Sequence, residues 1–284
     1  DYFMTYQDIT VVITSFRSEN KIISCLDSIN REIQILIIEN SDNNKFKQSV
    51  ESKYSNVKCI LAGENLGYAK GNNLGLSKVK TKYALILNPD AVLESKAIDC
   101  FLSSAKRISN FAIISPSVQE EKDLLIKDKE SSSLKEIENV KGFAMFLNMK
   151  NFLETGFFDD NFFIYFEEID LCRRLRKNNQ KIYLDPTVRV FHLGGSSHDE
   201  SVNYEMELSR NWHWMWSSFY YHKKYNSFFF ALIKMSPKLI SSLIKIFIYT
   251  LIFNKTKRMI YWQRFSGLYN SITGKKSWYR PKVN

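Results

Sequence analysis

Short apolar runs alternate with helix-period stretches along the first 108 residues. Runs rich in β-branched and aliphatic residues at 9–14, 33–39, 57–61 and 82–87 read as strands, and periodic stretches at about 19–30, 44–53, 68–78 and 95–108 read as helices. That alternation predicts an α/β fold with a mixed, mainly parallel sheet and helices on both faces. From Phe111 the pattern is mixed. A strand near 111–115 is followed by a polar, charged and Ser-rich stretch from Gln119 to Glu138, expected to be a mobile surface loop, and then by a strand-like segment from Asn139 to Asn148. A helix from about Glu167 to Asn178 precedes strands at 181–184 and 188–191.

After Gly194-Gly195 the composition shifts. Residues 203–225 interleave Trp212, Trp214, Trp216, Tyr220 and Tyr221 with Arg210, His213, Lys223 and Lys224, and residues 228–253 form the most apolar segment. That segment carries Lys234, Lys238 and Lys245 and is interrupted at Ser236-Pro237, which reads as a helix start with Ser as cap and Pro in the first position. A helix from there to Phe253 would be about 25 Å long, short of the roughly 30 Å hydrocarbon core. An interfacial helix is therefore expected, with Lys255, Lys257, Arg258, Tyr261 and Trp262 at headgroup depth. A helical hairpin packed on the rest, or one forming a homodimer, stays open.

Charge sharpens the division. The 284 residues carry a formal +10, yet residues 205–284 hold 14 Lys and Arg against 2 Asp and Glu, whereas residues 1–204 hold 26 against 28. A catalytic domain at 1–204 (halves at about 1–115 and 116–204) and a basic helical region at 205–284 are expected. The asymmetry implies an anionic partner surface, and a neutral N-terminal part with no recognised module argues for lipid over nucleic acid. Cys25, Cys59, Cys100 and Cys172 are far apart and sit among apolar residues, as reduced core thiols do. With a polar opening from Asp1 to Gln7, the expectation is a cytoplasmic protein, peripheral on the inner face of the membrane.

The chemistry collects where strands end. Asn88-Pro89-Asp90 follows the apolar run Tyr83-Ala84-Leu85-Ile86-Leu87, and an Asp there suits a divalent cation facing a diphosphate, although the tripeptide is also an ordinary turn. Thr14, Ser15 and Phe16 close the first strand and Glu39 the second, at the sheet edge where open α/β folds bind ligands. Asn65-Leu66-Gly67, Lys70 and Asn72 follow, then Phe162 to Arg174 with Glu167-Glu168-x-Asp170, and then Val190-Phe191-His192. In order and spacing this series resembles the family 2 glycosyltransferases, in particular their rhamnosyltransferase-like branch, over roughly the first 200 residues.

The resemblance implies the GT-A fold and a set of roles. Thr14, Ser15, Phe16, Glu39, Asn65, Gly67, Lys70, Asn72, Asn88 and Asp90 would face the nucleotide-sugar, with Asn88 standing where related transferases have the first Asp of Asp-x-Asp. Asp90 and His192, with His198 as the weaker alternative, would hold Mg²⁺ or Mn²⁺; a mixed oxygen and nitrogen set suits manganese at least as well. The loop Gly194-Gly195-Ser196-Ser197 would close over the diphosphate. Glu168 would be the base, with Glu167 in reserve, and Asp159, Phe163 and Tyr165 would contact sugar or acceptor. Asp170 is expected to cap its helix and orient Arg174. The family usually has Asp at positions 39 and 168, where this chain has Glu.

The implied activity is inverting transfer from a nucleotide-diphospho-sugar, dTDP-L-rhamnose favoured, to a lipid-linked or lipopolysaccharide glycan. A UDP donor of galactofuranose or an N-acetylhexosamine is the competing enzyme reading, and a catalytically silent membrane scaffold the non-enzyme one. A glycosidase pair of Asp90 and Glu168 leaves the upstream nucleotide-facing residues unexplained.

Overall fold

The computed structural model describes residues 4–108, 110–119, 133–192 and 197–282, so most of the polar stretch and Gly194-Gly195-Ser196 lie outside the described residues. The chain divides into two compact units, one of residues 1–158 and 171–199, the other of residues 159–170 and 200–284. The boundary near 200 lies close to the change in charge. Residues 159–170, which precede it by some thirty positions, belong with the helical unit.

The first unit is a sheet with helices. Its strands are β1 (Ile9–Ser15), β2 (Gln34–Glu39), β3 (Val57–Leu61), β4 (Tyr83–Leu87), β5 (Ala91–Leu93), β6 (Ile113–Gln119), β7 (Lys135–Glu136), β8 (Ala144–Asn148) and β9 (Ile182–His192). The order is β3-β2-β1-β4-β8-β6-β9-β5, with β7 on β9. β1, β2, β3 and β4 pair in parallel, whereas β8 is antiparallel to both its neighbours. Every residue of β4 and β8 is buried, which is why both read as unbroken apolar runs. The two strands expected at 181–184 and 188–191 are one strand, β9, whose pairing with β6 shifts register between Pro116 and Ser117.

Helices α1 (Ile22–Asp27), α2 (Asn44–Lys53), α3 (Gly67–Leu76) and α4 (Ala97–Arg107) fall where the periodicity places them. α3 approaches the sheet closely because Gly71 and Gly75, one turn apart, face it. A Cβ at Gly71 would lie 2.6 Å from the Thr14 methyl carbon, and one at Gly75 2.4 Å from a Val12 methyl. Helix α5 (Glu167–Lys177) contributes its first four residues to the second unit and the rest to the first.

The second unit contains three long helices, α6 (Asn203–Tyr225), α7 (Phe228–Leu251) and α8 (Lys255–Ile272). Met215 and Phe219 of α6, Ala231 and Met235 of α7 and Leu268 of α8 form one buried cluster, and Leu208, Trp212, Trp216 and Tyr279 form another. The expectation that a helix starts at Pro237 is overturned: Pro237 lies inside α7, which begins nine residues earlier with Ser227 accepting the Phe230 N–H at 3.1 Å. Proline removes the N–H that would bond the carbonyl one turn back. The Ser236 hydroxyl donates to that carbonyl, Ile233 O, at 2.9 Å, so the helix continues. With 24 residues α7 is roughly 36 Å long, which removes the length argument against a span. Composition still excludes one: no helix among the described residues is long and apolar enough to cross a membrane.

Candidate active site

In the first unit Thr14, Ser15 and Asn72 of the expected donor-facing set gather near the carboxyl ends of β1 and β2, together with Asn40, which the sequence reading did not single out. The hydroxyls of Thr14 and Ser15 and the side-chain carbonyls of Asn40 and Asn72 are buried with no hydrogen-bond partner among the described residues. Thr14 and Asn40 both crowd Gly71, the neighbour of Asn72. Buried polar groups ordinarily find partners, so this group of oxygens at one sheet edge suits a polar ligand. Asn40 Nδ2 donates to Gly67 O at 3.1 Å, and Asn72 Nδ2 donates to Tyr68 O at 2.9 Å.

Other members of the set shape loops. Asn65 Oδ1 accepts the Gly67 N–H at 3.1 Å, and Gly67 has φ +77°, so the pair forms the entry to α3. Lys70 is exposed on that helix. Glu39 is buried, and its carboxylate accepts from Ser41 N at 3.0 Å, from the Ser41 hydroxyl and from Asn43 N at 2.7 Å. Its visible work is to hold the 40–43 turn. After Phe16, Ser18 donates to Ser197 O and Asp199 N donates to Arg17 O at 2.7 Å, tying the loop after β1 to the chain beyond β9. His198 is buried in that same segment.

Asp90 and His192 come together. Asn88 O accepts the Ala91 N–H at 3.1 Å, so Asn88-Pro89-Asp90 is a turn; β5 then pairs antiparallel with β9, Ala91 opposite His192. His192 Nε2 lies 3.4 Å from Asp90 Oδ1, and the imidazole stacks on Phe143 with 4.6 Å between centroids. Asp90 is 4 % exposed, and neither carboxylate oxygen has a hydrogen-bond partner among the described residues. A buried, unsatisfied carboxylate beside an imidazole nitrogen fits a divalent cation. No cluster of three or more His, Cys, Asp or Glu that could hold a metal occurs among the described residues, so further ligands would have to come from a bound diphosphate or water.

The acidic segment is organised by the second unit. Tyr165 and Phe166 both have φ near +70° immediately before Glu167, a conformation that costs bulky residues. Packing holds it: Tyr165 meets Trp214 edge-on, Phe166 packs against Trp214 and Tyr221, and Ile164 O accepts the Ser217 hydroxyl at 2.9 Å. Phe163 stacks on buried His213 and lies 4.0 Å from the Arg280 guanidinium. Burial, with the positive charge of Arg280 adding to it and the hydrogen bond to the Tyr279 carbonyl opposing both, leaves His213 neutral, its pKa pushed down to about 3.

Burial raises the carboxyls of both Glu167 and Glu168. At Glu167 the charge of Glu168 adds to it, holding that group well above the ordinary carboxylate range, whereas backbone N–H groups and a hydrogen bond from Glu167 favour the charged form of Glu168. Of the two, Glu168 is therefore the one whose charged form its surroundings favour more. One carboxylate oxygen of each lacks a partner among the described residues.

The neighbouring carboxylates are saturated. Asp170 is fully buried and accepts from Lys224 Nζ at 2.6 Å and Tyr225 OH at 2.7 Å. Lys224 also donates to Asp159 Oδ2 at 2.7 Å, which accepts Tyr220 OH at 3.0 Å, while Asp159 Oδ1 accepts the backbone and side-chain N–H groups of Asn161. Burial alone would raise the Asp159 carboxyl; the Lys224 and Asn161 hydrogen bonds outweigh it and lower the pKa. Lys224 therefore clamps both ends of the 159–170 segment onto α6. Arg174, expected to be oriented by Asp170, donates to Thr155 O at 2.8 Å and to Phe157 O. Lys224, Tyr220 and Tyr225 were missed as site-building residues because they lie 54 to 65 positions from their partners.

Comparison with known proteins gives the family and the fold. The sequence profile of glycosyl transferase family 2 matches residues 10–173, from β1 through the acidic segment. The chain is 24 % identical over 208 residues to the low-salt glycan biosynthesis hexosyltransferase Agl10 of Haloferax volcanii, covering 65 % of this chain and 67 % of that protein. It is 24 % identical over 240 residues to the rhamnosyltransferase WbbL of Escherichia coli, covering 72 % and 88 %. A mannosyltransferase from Pyrobaculum calidifontis, solved with GDP-Man and Mn²⁺, shares the fold at a TM-score of 0.58 and 10 % identity, over 96 % of this chain and 89 % of that one. The fold is GT-A, and with the profile spanning more than half its length the chain belongs to glycosyl transferase family 2, the nucleotide-sugar glycosyltransferases.

Proposed function

We propose that this protein is an inverting, cation-assisted hexosyltransferase of glycan assembly, with dTDP-L-rhamnose as favoured donor and a lipid-linked or lipopolysaccharide glycan as acceptor. The observation that carries the reading is Asp90, buried, without hydrogen bonds to either oxygen among the described residues and 3.4 Å from His192. Those two residues would hold the metal, Mg²⁺ or Mn²⁺, which when bound neutralises charge on the diphosphate. Thr14, Ser15, Asn40 and Asn72 offer hydrogen bonds at the β1 and β2 ends to nucleoside and sugar. Glu168 removes the proton of the acceptor hydroxyl; the new bond forms from that oxygen to the anomeric carbon as the bond to the diphosphate breaks and its electron pair leaves with the phosphate. One base and no nucleophile gives inversion.

The rhamnose preference rests on the named activity of the Escherichia coli relative. A panel of dTDP-, UDP- and GDP-sugars, each tested with Mn²⁺ for thermal stabilisation and for transfer, checks it. dTDP-L-rhamnose is expected to give the largest Tm rise and to be consumed. A larger rise with a UDP-sugar, matched by turnover, moves the assignment to that sugar.

A further inference from the structure

The outward face of α7 is apolar for its whole length. Phe229, Ile233, Ile240, Ile244, Phe247 and Leu251 are all exposed, and at 3.6 residues per turn they fall within roughly 60° of arc. The residues of α7 buried in the helical unit, Ala231, Met235 and Ser242, lie on the opposite side. Lys234, Lys238 and Lys245 line one flank between these faces; Lys238 sits 5.8 Å over the Trp214 ring and Lys245 4.7 Å over Tyr261. The turn into α8 carries Phe253 in a left-handed conformation, φ +53°, 92 % exposed. Gly or Asn is the usual residue there, so the turn is built at a cost and displays a bare aromatic ring.

We infer that α7 and the Phe253 turn insert into the headgroup region of an anionic lipid bilayer, α7 lying in the plane of the surface. An apolar patch of this extent marks an interaction site, and charge selects the occupant. After Glu207 the remaining 77 residues contain no Asp or Glu, while 14 Lys and Arg lie among them. A second copy of the chain would bring the same positive charge to the contact; a bilayer rich in anionic headgroups complements it, and flanking lysines can bury their stems while keeping the ammonium groups at the phosphates. No helix among the described residues can span. Trp212 and Trp216 of α6 are not part of this surface, because they are buried in the helical core.

The test is co-sedimentation of the full chain with phosphatidylcholine vesicles, with and without roughly one-third phosphatidylglycerol. The inference predicts binding to the anionic vesicles, weakening as salt rises, and a loss of about tenfold or more in affinity for the triple variant Ile244→Ser, Phe247→Ser, Phe253→Ser. Lys234→Gln with Lys255→Gln and Lys257→Gln should keep apolar insertion but flatten the salt dependence. All these side chains are exposed, and nucleotide-sugar stabilisation measured in parallel should be unchanged, which separates failure of this inference from failure of the transferase reading. Absence of vesicle binding at low salt, equal binding by the triple variant, or a dimer that the triple variant turns into a monomer would each overturn it.

Discussion

Asp90 in the first unit and Asp170 in the second are both buried carboxylates, treated in opposite ways. Asp170 accepts from Lys224 and Tyr225, whereas Asp90 has only the imidazole of His192 within 4 Å as an ionic partner and no hydrogen bond among the described residues. Desolvating a carboxylate without compensation is costly. The saturated one is explained by the fold, since it fastens the acidic segment to α6; the unsaturated one fits the cation proposed for it. The same contrast recurs within the second unit, where Asp159 is fully engaged and Glu168 retains an oxygen with no partner among the described residues.

The largest effect should come from the unsaturated side. Glu168→Gln keeps the shape but cannot take a proton, and transfer is expected to fall by about 10² to 10⁴ while donor binding survives. Glu168 must be ionised to act, so activity should be lost as pH falls through its raised pKa, with the acid limb of kcat/KM above the ordinary Glu value of about 4.3. Stability follows the same shift. A raised folded-state pKa gives stability that is present below the unfolded value and lost as pH rises through the folded one. At neutral pH Glu168→Gln removes that penalty, so its Tm should rise. A dead variant at Glu167→Gln with an active Glu168→Gln would move the base by one position.

Breaking the saturated side should cost stability. Lys224→Met leaves Asp159 and Asp170 without their shared cation and is expected to destabilise the second unit by about 3 to 5 kcal/mol. All five tryptophans lie in that unit, so tryptophan fluorescence during denaturation reads it separately. A smaller pair of effects compares the packing of the two units. A Cβ at Gly267 would lie 2.1 Å from the Trp212 carbonyl oxygen, a backbone atom, whereas the nearest atom to one at Gly71 is a Thr14 methyl. Gly267→Ala should cost about 3 kcal/mol or more and Gly71→Ala about 1 to 2, since Thr14 can rotate and the α6 backbone cannot. Equal costs would show that α6 and α8 separate readily.

The first unit was largely legible in the sequence because most of its elements carry their own period: α2 and β3 match to the residue and β1, β2 and β4 to within one. The two candidate metal ligands were legible as strand ends, but only the antiparallel pairing of β5 with β9 brings them together, and the three-residue β5 has no sequence signal of its own. The second unit was harder for physical reasons. Pro237 is a strong breaker whose effect is cancelled by a neighbouring hydroxyl, and the aromatic, basic stretch 203–225 looks like a surface although Trp212 and Trp216 are core. The Lys224 clamp depends on tertiary contacts that no local pattern encodes.

Metal-dependent donor binding in Asp90→Ala tests the central claim most directly, by calorimetric titration of nucleotide-sugar with and without Mn²⁺ beside wild type and Glu168→Gln. The account predicts that wild type and Glu168→Gln bind the donor with Mn²⁺, and that Asp90→Ala loses this binding while its Tm is unchanged or higher, because the carboxylate it removes accepts no hydrogen bond among the described residues. Retained Mn²⁺-dependent binding in Asp90→Ala, or a large drop in its Tm, would show that Asp90 belongs to the fold rather than to the donor site.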